Sequence, residues 1–135
     1  MMMSNYLSTV PNFVTFLVTG AVLLALFWTL YTFATPHDEL ALIRAGNVSA
    51  AIMMAGAMLG FALPVGVAMA RSEDLMQLAQ WGSVALLVQF CAYVLLRLMH
   101  RGLHQAIEQN QVSVALWAAT LSLSAGIINA GAQLA

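Results

Sequence analysis

Four long stretches of this chain contain no Asp, Glu, Lys or Arg: residues 1–37, 45–70, 75–96 and 109–135. A bilayer core of about 30 Å takes about 20 helical residues at a rise of about 1.5 Å each, and each stretch is long enough. The spans expected are 13–34, 48–70, 75–99 and 112–134. Strands would need period-two alternation and closure into a barrel, whereas a helix satisfies its own backbone in lipid. The fold class is therefore an all-α membrane protein with four transmembrane helices. Composition excludes the soluble alternative: 62% of the residues are hydrophobic and 7% charged, too few charges to cover a globule of this size.

The net charge is −1 and lysine is absent, so there is no basic patch for nucleic acid or for anionic lipid headgroups. Cys91 is the one cysteine. It excludes an internal disulfide and a Cys-based zinc site, and reads as a small packing residue. Residues 1–12 lack the basic n-region of a cleaved signal, so the first span is expected to be retained behind a short outer segment; the run Met1, Met2, Met3 leaves the start codon open. Arg44, Arg97 and Arg101, with His37, His100 and His104, fall in the connections after the first and third spans. The connection between the second and third carries Arg71 beside Glu73 and Asp74. The positive-inside bias then makes the former connections cytoplasmic and puts both termini in the periplasm.

The segment TPHDELALIRAGN (Thr35–Asn47) gathers Asp38, Glu39 and Arg44, which suits a turn between two spans. Thr35 is expected to cap a new helix, with Pro36 in its first turn and Asp38 completing a capping box. Asp38 and Glu39 suit the positive end of that helix. Leu40 and Ile43 would share the face that lies along the interface. Gly46 supplies a left-handed break and Asn47 a cap for the second span. An offset of 64 residues brings Ile43, Val48, Ser49, Ala51, Ala55 and Leu59 onto Ile107, Val112, Ser113, Ala115, Ala119 and Leu123, with Gly46 on Asn110 and Asn47 on Gln111. Two parallel hairpin repeats are expected, 13–70 and 71–135, related about an axis near the membrane normal.

Gly56 and Gly60 in the second span correspond to Thr120 and Ser124 in the fourth, where Ser122, Gly126 and Ala130 form a further small-residue stripe. Such residues let helices approach closely in lipid, either at a subunit interface of a homo-oligomer or within one four-helix unit. Pro64 removes the backbone bond to the Gly60 carbonyl and kinks the second span, to shape the helix or to serve a gate. Gln89 and Asn129 are neutral polar groups at membrane depth, and Gln80 lies nearer the outer interface. Each of these amides needs a hydrogen-bond partner, or else lines a polar path. His100, His104 and Glu108 follow at i, i+4 and i+8 on one expected helix face. The outer two would stand about 12 Å apart, a poor chelate. No metal, cofactor or catalytic residue is expected, and His37, Asp38 and Glu39 have no nucleophile at a recognisable spacing.

TPHDELALIRAGN, GAMLGFALP, WGSVALLVQ and AGIINA together resemble the YjfL-type bacterial inner-membrane proteins, the domain-of-unknown-function 350 group. The resemblance covers nearly the whole chain and implies a two-repeat, four-helix protein of the bacterial inner membrane. It also implies a setting near phage-shock-protein-A-like and glutathionylspermidine-synthase-like neighbours, hence envelope stress or membrane maintenance and a phage-shock-protein-A-like peripheral partner. It carries over no catalytic residue. The function expected is an oligomeric scaffold or accessory component in the lipid bilayer, not an enzyme. The alternative is a small pore for ions or solutes lined by Gln89 and Asn129.

Overall fold

The computed structural model describes residues 2–36 and 38–135, with side chains from Leu7 onward. Met1 and His37, both singled out in the sequence, lie outside the described residues. Six helices follow in order: α1 (Met2–Ala34), α2 (Glu39–Arg44), α3 (Val48–Arg71), α4 (Leu75–Met99), α5 (Leu103–Glu108) and α6 (Val112–Ala132). No strand occurs among the described residues. The long helices α1, α3, α4 and α6 are each apolar and long enough to cross a bilayer, so the four-span, all-α reading holds.

Residues 2–12 are not a separate segment but continue the helix of the first span. Nothing polar enough to stop a helix intervenes, and Pro11 is carried inside it. At 33 residues and a rise of about 1.5 Å, α1 is about 50 Å long. It exceeds the hydrocarbon thickness and must tilt or project beyond it.

The expected cap of α2 shifts by three residues. Pro36 biases Thr35 away from helical backbone, and the Thr35 hydroxyl turns back to donate to the Tyr31 carbonyl at 3.0 Å. Asp38 is the N-cap instead, its carboxylate accepting from the Ala41 N–H at 3.2 Å. The buried face of α2 also differs from the one expected. Glu39 is 2% exposed, Leu42 and Ile43 pack against the core, and Leu40 is exposed.

Both short helices end in left-handed residues, Gly46 at φ 88° and Asn110 at φ 59°. Each is followed by a backbone bond closing the turn, Asn47 N–H to Leu42 O at 2.8 Å and Gln111 N–H to Ala106 O at 2.9 Å. The helices starting at 39 and 103, and those starting at 48 and 112, keep the offset of 64 found in the sequence. A Cβ on Gly46 would meet nothing within 4 Å, so substitution there tests backbone strain alone. Gly46→Val is expected to cost more than about 1–2 kcal/mol, and Ala45→Val much less, in thermal unfolding in detergent. Equal losses would mean that the turn relaxes.

The core lies where α3 packs along α6, with α4 closing on both and α1 on the outside against α3 and α4. The two turns are tied together beneath it. Asn47 caps its own helix through Ala50 N–H at 2.8 Å and donates Nδ2 to the Ile107 carbonyl at 2.9 Å. In the other direction, Asn110 Oδ1 accepts from the Ser49 N–H at 3.0 Å and the Ser49 hydroxyl at 2.9 Å.

Candidate functional site

The small residues form the α3–α6 seam within one chain. A Cβ on Gly56 would fall 2.5 Å from Ala119 Cα, and one on Gly60 would collide with the Ser122 carbonyl and lie 2.7 Å from Gln89 Nε2. One on Gly126 would collide with the Gly60 carbonyl oxygen, so a Gly126 Cα hydrogen points at that oxygen. Pro64 deprives the same oxygen of its helical donor, and the Cα–H contact partly replaces it. Ala130 is also buried, Ser124 is half-buried, and Thr120 is exposed, its hydroxyl donating to the Leu116 carbonyl at 2.7 Å.

The neutral amides serve this seam. Gln89, buried, donates to the Ser122 carbonyl at 3.0 Å. Asn129 is buried too, and its Nδ2 makes no hydrogen bond among the described residues. Gln80 is exposed. Gln133 supplies a tie that the sequence did not suggest: its Nε2 donates to the Pro64 carbonyl at 3.0 Å, and its own carbonyl accepts from Arg71. Arg71 also lies over the Trp81 ring at 5.0 Å.

His100, His104 and Glu108 do not share a helix face. α4 ends at Met99 with His100 as its C-cap, and Gly102 begins a new helix. His100 packs near Trp117, at 6.1 Å between ring centroids, while His104 turns to Tyr93. Among the described residues no group of three His, Cys, Asp or Glu could hold a metal ion.

The feature the sequence did not disclose is a cavity of about 350 Å³ between α1, α3 and α4. Phe27, Met53 and Ala57 form its inner wall together with Gln89 and with Ser122 of α6, and the exposed Leu30, Leu87 and Phe90 stand at its mouth. Phe27 stacks on Phe61 at 4.6 Å with planes 6° apart, fixing that wall. Tyr31 and Tyr93 close the end nearest α2 and α5, edge to face at 6.2 Å. The Tyr93 hydroxyl donates to the Ala34 carbonyl at 3.1 Å and lies 2.9 Å from His104 Nε2, so His104 would be the donor in that contact. Behind them, the buried Glu39 carboxylate acts electrostatically on both tyrosines. A carboxylate so placed needs such polar company. A second cavity of about 500 Å³ shares Ala34, Phe90 and Tyr93 with the first and reaches Arg97.

Residues 4–133 match the family described as Domain of Unknown Function (DUF350). The chain belongs to this family. It is 27% identical over 126 residues to the protein titled UPF0719 inner membrane protein YjfL from Escherichia coli K12, a match covering 93% of this chain and 96% of that one. The YjfL protein of Escherichia coli O157:H7 matches to the same extent. No solved structure matches. This DUF350 protein is thus a multi-pass protein of the inner membrane. Tyr31, Tyr93 and His104 converge at the α2–α5 end of the cavity.

Proposed function

We propose that this protein is a non-catalytic accessory component of the inner membrane that holds a lipid-like molecule in the cavity between α1, α3 and α4. The observation that carries the reading is a nearly apolar cavity whose mouth is formed by the lipid-facing Leu30, Leu87 and Phe90. Its volume is at the lower end for small-molecule sites, about 300–1,000 Å³. Tyr31 lies three residues from the end of α1, and Gln89 ten from the end of α4. The cavity therefore spans depths of roughly 5–15 Å from that end, within one leaflet of a core about 30 Å thick. An occupant arrives sideways from that leaflet. Such a role fits the envelope-stress or membrane-maintenance setting that the sequence resemblance implies, with a phage-shock-protein-A-like partner at the α2–α5 end.

The pore reading has less support: Gln89 lines the cavity, but its Nε2 is held by the Ser122 carbonyl, and Asn129 does not line it. The homo-oligomer reading loses its first motive, because Gly56, Gly60 and Gly126 are occupied within the chain. Matching element offsets support treating the two hairpins as parallel repeats.

Purified protein should quench or immobilise a doxyl-labelled stearoyl lipid in nanodiscs, and Leu30→Trp, which fills the mouth from its exposed side, should abolish the immobilised component. An identical spectrum for the two proteins would end the reading. The proposed orientation is tested separately. A periplasmic reporter fused after Ala135 should be active and one at Arg101 silent, and the opposite pattern would reverse the topology.

A further inference from the structure

We infer that Arg97 is the headgroup site for the lipid held in the cavity, binding the phosphate of an anionic phospholipid, with no headgroup cation to repel it, whose acyl chain enters between α1, α3 and α4. The inference rests on the lateral-cavity reading and adds the chemistry of the ligand's polar end. Ala34, Phe90 and Tyr93 line both cavities, and the second reaches Arg97. A chain lying along the exposed Phe90 would run from the apolar wall past Tyr93 to the guanidinium. Arg97 lies in the last turn of α4 and is exposed, at the height where a lipid keeps its phosphate when its chain lies against Phe27 and Ala57.

Arg97 is also held in place for this task. Its guanidinium sits over the Tyr93 ring, 6.0 Å from the centroid, in cation–π contact. Among the described residues no carboxylate is bonded to it. The nearby acid, Glu39, is buried within α2, whereas Arg97 is exposed. The planar donors of arginine match phosphate oxygens in pairs. The scarcity of basic residues in this chain argues against binding to a charged surface at large, not against one arginine at the end of an apolar groove.

Native mass spectrometry of protein released from nanodiscs of phosphatidylcholine with a minority of phosphatidylglycerol tests this. Wild type should retain phosphatidylglycerol about fivefold over its share in the disc, the preference one arginine near the surface supplies. Arg97→Gln should remove that preference, and Arg97→Lys should keep most of it. Added inorganic phosphate should not displace the lipid. If Arg97→Gln retains the anionic lipid as well as wild type, or if free phosphate competes, the assignment is wrong although the cavity still holds a chain. If wild type immobilises no chain, the cavity reading fails first, and Arg97 then has no lipid to hold.

Discussion

Gly60→Leu is expected to yield inserted but misfolded, protease-sensitive protein rather than well-folded separated subunits. Insertion should survive, because leucine is more favourable than glycine at membrane depth. Packing should not, because the first added carbon already meets the Ser122 carbonyl and Gln89, and backbone atoms cannot step aside as a side-chain tip does. Overpacking a tight core costs about 1–3 kcal/mol, and parting α3 from α6 adds the loss of the Gln89 bond and the Gly126 contact. The expected total exceeds about 3 kcal/mol. Thr120→Leu, on the exposed face of α6, is the control and should be tolerated. Limited proteolysis read with crosslinking in native membranes distinguishes the outcomes. A Gly60→Leu protein that resists protease and merely loses its crosslinked oligomers would assign Gly60 to a subunit contact.

The second large effect is expected at Asn47, whose amide works in both directions. Its oxygen caps α3, and its nitrogen holds the carbonyl end of α5. Asn47→Ala removes a cap worth about 1 kcal/mol and leaves the Ile107 carbonyl without its side-chain donor, a further loss of about 1–2 kcal/mol. Asn47→Ser separates the two contributions. Serine caps as well as asparagine but is too short to reach Ile107. Thermal unfolding in detergent should rank wild type above Asn47→Ser and Asn47→Ser above Asn47→Ala. If Asn47→Ser melts with wild type, the tie between turns contributes nothing.

The spans were legible because exclusion of charge over about 20 residues leaves a chain few alternatives. The two left-handed turns were legible for a similar reason, since Gly46 and Asn110 are residue types that tolerate that backbone. Local sequence was misleading where two local rules compete. Thr35 and Asp38 can each cap a helix, and Pro36 after Thr35 decides for Asp38. His100, His104 and Glu108 read as one face only if the helix runs on past Met99, but it stops there and Gly102 opens the next one. Glu39 resembles a solvated first-turn carboxylate until α2 rolls it under Tyr31 and Tyr93. The cavity was hardly legible, because Phe27, Ala57 and Leu87 are ordinary membrane residues, and Gln89 and Ser122, though singled out, gave no sign that the helices bring them to one cavity. The proposed oligomer interface was ambiguous for an energetic reason. Small residues favour close approach equally whether the other helix belongs to the same chain or to another.

The seam between α3 and α6 also has a consequence for how the protein is made. Its halves are encoded far apart, and the ribosome delivers α6 after α3, α4 and α5. Through the synthesis of α4 and α5, α3 waits in the bilayer with Gly56 and Gly60 bare and the Gly60 carbonyl short of a donor beside Pro64. Membrane helices insert singly and associate afterwards, so this interval is when a foreign helix or an insertion factor could occupy the groove. The 21 residues of α6 then close the seam as a latch on a bundle whose other helices already meet at Phe27, Phe61 and Tyr93.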